Sequence, residues 1–124
     1  MTFSLPYPPT TNHAYCVRNG RKVKTSTARA YAAEVGYLVA DHVRTDEQPP
    51  PDLTNEPLYV HITVHHPDNR RRDLSNTEKL VTDAVFKQLG LDDSRITLLV
   101  IERGPNKPKG HLTYSLSIDQ KAPF

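Results

Sequence analysis

The chain has 124 residues, 24% of them charged, and a formal net charge of +2, values that suit one globular domain. Its single cysteine, Cys16, excludes an internal disulfide and a cysteine-rich zinc site. The sequence contains neither an apolar N-terminal stretch like a signal peptide nor a run long enough to span a membrane. We therefore expect a cytoplasmic protein with one domain over residues 1–124. Its core should be small, because hydrophobic residues make up only 36%.

The opening of the chain predicts a short strand and then a hairpin. Residues 2–5 alternate polar and apolar side chains and stop at Pro6. Residues 14–24 are centred on Asn19-Gly20, a pair that adopts the positive φ angles of a two-residue hairpin turn. Arginine and lysine flank this turn, so the hairpin serves either as scaffold or as a contact for DNA.

A helix and a connection come next. Ser26 can cap a helix that runs to about Val43, with apolar residues recurring along one face. The consecutive prolines within residues 48–52 remove backbone donors and exclude both a helix and a central strand. We expect this segment to be extended and exposed.

The clearest strand of the sequence covers residues 58–65. Its residues alternate strictly, so that one side faces the core and the other carries polar groups. We interpret His61, His65 and His66 as part of a solvated sheet face. A shared metal ion is the alternative, but strand residues four apart are too distant to bind one ion easily.

The second half of the chain predicts a helix and two strands. The helix begins near Asp73 or Ser75 and ends at Gly90, a residue type common just past a helix end. Residues 96–102 are too apolar for anything but a buried strand, and residues 112–118 alternate as a final strand does. These elements predict an α+β fold in a single small domain, with a mixed, mostly antiparallel sheet and two main helices.

The charged segment before the second helix is the candidate functional site. Arg70, Arg71 and Arg72 stand directly before Asp73, and Asp93 follows the helix. Consecutive arginines suit an anionic partner, whereas carboxylates among them would weaken a site that only held phosphate. Acid beside base therefore favours chemistry on phosphate, with a divalent metal held by the two aspartates. The alternative is an exposed charged loop whose aspartate caps a helix.

Polar residues of the second helix extend this candidate site. Asn76, Lys79 and Asp83 recur at helical spacing, so they share one face and should point where Asp73 points. Lys79 would then help to hold the phosphodiester. The alternative is a surface ion pair between Lys79 and Asp83.

These motifs resemble a known family, the Holliday junction resolvases of the RusA type, which are small dimeric nucleases of bacteria and their phages. The resemblance is carried by Arg70-Arg71-Arg72-Asp73-Leu74-x-Asn76-x-x-Lys79, by Leu91-Asp92-Asp93 and by the opening segment Pro6-Tyr7-Pro8-Pro9-Thr10-Thr11-Asn12. It covers nearly the whole chain. It implies magnesium-dependent nicking of four-way DNA junctions by a homodimer, with manganese as a possible substitute for magnesium.

The resemblance also implies roles for individual residues. Asp73 and Asp93 would be catalytic acids that bind the metal, and Lys79 would be the essential lysine beside them. Asp92 is a further candidate metal ligand. The resemblance gives Arg72 a role in gripping DNA, and Arg70, Arg71 and Asn76 are further candidates for DNA contact.

Ser75 departs from the family pattern, which commonly has an aspartate at this position. A serine is a weak, neutral ligand for a hard cation, so the affinity for metal should fall. Asp92 or Asp68 could compensate, or Ser75 could bind metal through water. Alternatively, Ser75 is an N-cap that forms a capping box with Glu78.

Three functional hypotheses therefore stand at this point. The first is a metal-dependent junction endonuclease acting in DNA recombination and repair. The second is a junction-binding protein with weak or no nuclease activity, because Ser75 replaces the expected aspartate. The third is an unrelated small α+β interaction module in which the arginines form a solvated surface.

Overall fold

A computed structural model describes residues 1–9, 14–46 and 56–118 of the chain. In chain order the elements are β1 (Thr2–Leu5), β2 (Tyr15–Arg18), β3 (Arg21–Lys24), α1 (Ser26–Thr45), β4 (Leu58–His65), a 3-10 turn (Leu74–Thr77), α2 (Glu78–Leu89), a 3-10 turn (Asp93–Arg95), β5 (Ile96–Arg103) and β6 (His111–Ser117). None of the helices in these segments is long and apolar enough to cross a membrane.

The main sheet has four strands in the order β1-β6-β4-β5. β6 pairs antiparallel with both β1 and β4, while β4 and β5 run parallel. The α+β class and the mixed, mostly antiparallel sheet are thus confirmed. The hairpin β2–β3 forms a separate two-stranded sheet. Its turn residues have the predicted positive φ angles, 52° at Asn19 and 74° at Gly20.

The core lies between one face of the main sheet and the apolar sides of the two helices. Alternation along β4 buries Leu58, Val60, Ile62 and Val64 completely. Val81 and Val85 of α2 belong to the same core. Inside it, the hydroxyls of Thr82 and Tyr114 form a buried hydrogen bond of 3.0 Å, which links α2 to β6.

The ends of the helices agree with the sequence to within a few residues. α2 ends at Gly90, whose φ of 70° gives the left-handed C-cap that a glycine favours. The predicted N-cap of α1 is wrong by one residue. Thr25 is the cap, because its hydroxyl accepts a hydrogen bond from the backbone N–H of Ala28 at 3.2 Å. Ser26 is the first helical residue, and the helix continues to Thr45.

Two predictions about burial are wrong. β5 is not a buried strand: it lies at the edge of the sheet, where Leu98 and Leu99 are exposed. His65 and His66 are not on a solvated face, because both are buried. The ring Nδ1 of His65 is 2.7 Å from the carbonyl oxygen of Pro105, so the loop after β5 covers it. Residues 10–12 and 48–52, for which an opening motif and an exposed connection are predicted, lie outside the described residues.

Candidate active site

The loop of residues 68–73 follows β4, and we call it the arginine loop. Asp68 holds this loop together. Its carboxylate accepts a hydrogen bond of 2.6 Å from the guanidinium of Arg72 and one of 3.0 Å from the backbone N–H of Arg70. These hydrogen bonds, first of all the one from Arg72, lower the pKa of Asp68 to about 2. Arg103, at the end of β5, donates to the carbonyl of Arg72 at 3.0 Å. The loop is therefore tied to itself and to the sheet.

The three arginines consequently differ in their availability. Arg70 and Arg72 both pair with Asp68, and only 19% of the Arg72 side chain is exposed. Arg71 is exposed and makes no hydrogen bond or ion pair with any residue in the described segments. Of the three, Arg71 is the guanidinium that is free to bind an external anion.

A cavity of about 390 Å³ lies beside this loop, and we call it the arginine cavity. Its polar lining comprises Tyr7, Arg71, Arg72, Asp73, Asn76 and Thr77. Asp73 is exposed and caps the 3-10 turn without a side-chain hydrogen bond. A carboxylate and guanidinium groups therefore line the same cavity, as the sequence predicted for the loop.

Tyr7 is held in the wall of the arginine cavity by two contacts. Its hydroxyl lies 2.7 Å from Nδ1 of the buried His66. Its ring packs on Gly110, where an added Cβ would come within 2.7 Å of the ring and where φ is +74°. Burial, followed by the charges of Arg103 and Arg72, lowers the pKa of His66, so the ring stays neutral.

The beginning of α2 differs from the predicted capping box. Leu74–Thr77 forms a 3-10 turn, stabilised by a 2.9 Å hydrogen bond from the Thr77 hydroxyl to the carbonyl of Leu74. The α-helix starts only at Glu78, with Thr77 as its N-cap. Ser75 is therefore inside the turn and is not the cap that the Ser-x-x-Glu pattern predicted. Its side chain is exposed.

A second group of charged residues lies along α2 and the turn after it. The ammonium of Lys79 is 3.5 Å from the carboxylate of Asp83, and 72% of the Lys79 side chain is exposed. Asp83, Asp92 and Asp93 line one open groove, which we call the acidic groove. Asp83 first, and Asp93 to a smaller extent, raise the pKa of Lys79. Lys79 and Asp93 are thus electrostatic neighbours.

Asp92 and Asp93 have different surroundings within the acidic groove. The carboxylate of Asp92 accepts a 2.9 Å hydrogen bond from the backbone N–H of Ser94 and caps the turn Asp93–Arg95. That bond is the main reason why the pKa of Asp92 is lowered. Asp93 is exposed and is not the cap of this turn. It can therefore offer more of its carboxylate to an external ligand than Asp92 can.

One chain places the predicted site residues in two groups. Asp73 lines the arginine cavity, whereas Asp93 lines the acidic groove with Asp83. Among the residues described, no three His, Cys, Asp or Glu side chains are placed to hold one metal ion. A site needing three such protein ligands therefore does not fit the described part of a single chain.

Sequence reasoning missed the supporting residues more than the charged ones. The pair formed by Tyr7 and His66 joins positions far apart in the chain, and no local pattern indicated it. Asp68 was considered only as a substitute metal ligand. Its role in the loop could have been found, because a carboxylate two and four residues before arginines is well spaced to bond a turn.

Comparison with known proteins places these residues in a family. The family model described as endodeoxyribonuclease RusA matches residues 6–113. A crossover junction endodeoxyribonuclease RusA of Escherichia coli (strain K12) is 28% identical over 118 residues, which cover 94% of this chain and 92% of the relative. A relative of the same description from Enterobacteria phage 82 is 28% identical over 116 residues, covering 92% of this chain and 91% of that protein. The resemblance seen in the motifs is confirmed, and the chain belongs to the RusA family of endodeoxyribonucleases.

Proposed function

We propose that this protein nicks four-way DNA junctions by metal-dependent hydrolysis of a phosphodiester bond. The observation that carries the proposal is the arginine cavity, which is lined by Asp73 and by Arg71, an arginine without a partner among the described residues. Guanidinium groups suit the phosphates of DNA, and the carboxylate beside them suits a metal ion that acts on phosphate. The relatives, named as crossover junction endodeoxyribonucleases, support a branched DNA substrate.

Magnesium fits this chain only with help from other ligands. Mg²⁺ commonly binds one or two protein carboxylates and completes its shell with water and substrate phosphates. Asp73 and Asp93 would be those carboxylates, and manganese would be an alternative ion. When bound, the metal would activate water and neutralise charge on the phosphate. Lys79 would hold positive charge next to Asp93.

We further propose that the active form is a homodimer joined at the edge of the main sheet. Within the described residues β5 pairs with β4 alone, and the edge exposes Leu98 and Leu99. Edge strands of two copies can pair antiparallel around a two-fold axis. The beginning of one β5, next to Asp93, would then lie beside the end of the other, where Arg103 contacts the arginine loop. Such a dimer would bring Asp73 of one chain towards Asp93 of the other.

Binding and nicking of one synthetic four-way junction, with and without Mg²⁺, test the nuclease. Asp93→Asn should leave junction binding intact, because the removed charge repels phosphate, and should abolish nicking. Glu34→Gln, which removes an exposed carboxylate from α1, is the matched control and should nick as the parent does. Nicking by Asp93→Asn at the parental rate would contradict the catalytic role of Asp93.

Mixed dimers test whether the site is shared between two chains. Asp73→Asn and Asp93→Asn should each be inactive alone. In a dimer that combines the two variants, a shared site would leave one of the two sites with both aspartates, so nicking of one strand should return. If each site lies within one chain, every site of the mixture carries a substitution, and no activity should return.

The contribution of the arginines is measured by the salt dependence of binding. Arg71→Ala removes a guanidinium without disturbing the Asp68–Arg72 pair, and the double variant Arg71→Ala/Arg72→Ala removes both. The slope of log K against log[salt] is negative, and each lost phosphate contact should make it less steep by about 0.9. A slope equal to that of the parent would place these arginines off the path of the DNA.

A junction-binding protein without strong nuclease activity is the second candidate. It is favoured by Ser75 and by the lack of a three-ligand metal group among the described residues of one chain. The same assay separates the two candidates, since this one predicts tight Mg²⁺-independent binding and no nicking by the parent protein.

A further inference from the structure

A third cavity lies between the hairpin and the beginning of α2. Its volume is about 200 Å³, and its polar lining consists of Tyr15, Lys22, Ser75, Asn76 and Lys79. Lys22 and Lys79 therefore line one small space, and none of the described residues of its wall carries a carboxylate. A carboxylate outside this wall, that of Asp83, pairs with Lys79 at 3.5 Å. The arginine cavity and the acidic groove, in contrast, each include at least one aspartate. We call this third space the hairpin cavity.

The charge of Lys22 is held in place at this cavity. Tyr15 pairs with Lys24 and Val17 pairs with Lys22 in the hairpin, so Tyr15 and Lys22 share one face of it. The ammonium of Lys22 lies 4.8 Å from the centre of the Tyr15 ring, which is the range of a cation–π contact. Within the described residues no carboxylate pairs with Lys22, so its charge is available to an anion.

Tyr15 adds a hydrogen-bond donor that has no acceptor among the described residues. Its hydroxyl oxygen is buried and has no hydrogen-bond partner in the part of the chain that the structure describes. Burial, the largest effect, raises the pKa of this phenol, so the hydroxyl keeps its proton at neutral pH. Buried hydroxyls without a partner are uncommon, and this one is available to an acceptor that enters the cavity.

We propose that the hairpin cavity binds a backbone phosphate of the DNA strand, next to the phosphate held in the arginine cavity. This inference rests on the proposed function. Lys22 and Lys79 supply the positive charge, and the Tyr15 hydroxyl and the Asn76 amide donate to phosphate oxygens. Asn76 lines both the hairpin cavity and the arginine cavity. A strand can therefore cross from one to the other at Asn76, and the hairpin is part of the DNA-binding surface.

The first test compares two neighbouring hairpin residues of equal charge. Lys22→Gln should make the slope of log K against log[salt] for junction binding less steep by about 0.7–0.9, the value for one phosphate contact. Arg21→Gln removes the same charge one residue away, on the opposite face of the hairpin, and should keep the parental slope. Lys22→Arg should restore it. Thermal denaturation of each variant verifies that it is folded.

The second test identifies the phosphate. Junctions that each carry a single uncharged methylphosphonate are bound to the parent and to Lys22→Gln. At one position the methylphosphonate should weaken binding to the parent but not to Lys22→Gln, because the variant has already lost the contact with that phosphate. Tyr15→Phe keeps the aromatic ring next to Lys22 but lacks the hydroxyl. In this variant the methylphosphonate at the same position should weaken binding less than in the parent.

The outcomes separate this subsite from the proposed function. A parent that binds and nicks junctions, together with a Lys22→Gln variant that keeps its slope, overturns the subsite and leaves the nuclease standing. Equal methylphosphonate penalties in both proteins at every position do the same. A parent that binds no junction at all overturns both proposals.

Discussion

Removal of the Asp83 carboxylate should change the stability of the protein only slightly but slow its nicking strongly. The pair between Lys79 and Asp83 is four residues apart on α2 and is 3.5 Å long. Because 72% of the Lys79 side chain is exposed, water and salt screen the pair. Its contribution to the free energy of unfolding should therefore be about 0.2–0.5 kcal/mol. For a chain of this length, 0.5 kcal/mol corresponds to a change in melting temperature of about 2 °C.

The same substitution should slow nicking far more than that stability change suggests. Asp83 holds the ammonium of Lys79 and lines the acidic groove with Asp93. In Asp83→Asn the ammonium loses this anchor, and misplacement of a catalytic group by about 1 Å costs on the order of 100-fold in rate. We expect a 10- to 100-fold loss, which is about 1.4–2.7 kcal/mol in the activation free energy.

The effect should come from position and not from protonation. Asp83 raises the pKa of Lys79, so its removal returns that pKa toward the ordinary value of about 10.4. Lys79 stays charged between pH 7 and 9 in both proteins, and the pH profile of nicking should keep its shape there. The small stabilisation by the pair is present below the ordinary pKa and is lost as the pH rises through the raised pKa of Lys79.

Single-turnover nicking of a four-way junction and thermal denaturation are the two measurements. Asp41→Asn is the matched control, because it breaks an exposed ion pair with Arg44 on α1 and should cost similar stability. That control should nick normally. If Asp83→Asn also nicks at the parental rate, the Lys79–Asp83 pair is only a surface ion pair, and the reasoning is refuted.

The remaining predictions concern the core, the arginine loop and the turn before α2. Tyr114→Phe leaves the buried hydroxyl of Thr82 without its partner and should cost about 1–3 kcal/mol in unfolding free energy; a denaturant midpoint equal to that of the parent would contradict this. In an NMR titration the carboxyl of Asp68 should have a pKa of about 2, and Arg72→Ala should raise that pKa. The stabilisation by the Asp68–Arg72 pair is present above the ordinary pKa of aspartate. It disappears as the pH falls through the lowered pKa of Asp68. Ser75→Asp should nick faster and at lower Mg²⁺ if a missing carboxylate limits metal binding, whereas an unchanged Mg²⁺ dependence would show that other groups complete the site.

Signals that act over a few residues allowed much of this protein to be predicted from its sequence. The turn at Asn19-Gly20, the alternation of β4 and the C-cap at Gly90 each depend on local backbone geometry, and all three are confirmed. The run from Arg70 to Lys79 identified the family for the same reason, since its spacing is a property of a continuous segment. Charged groups that belong to one loop could therefore be predicted to lie together.

Only the tertiary structure decided how these segments meet. Periodicity does not encode the order of strands in a sheet, so the apolar sequence of β5 did not predict an edge position with Leu98 exposed. Asp73 and Asp93 are separated by a helix, and their placement in different cavities depends on how α2 packs against the sheet. The burial of His66 against Tyr7 likewise needs two distant segments to come together. These features arise from long-range packing, in which many contacts outside a segment determine what its residues face.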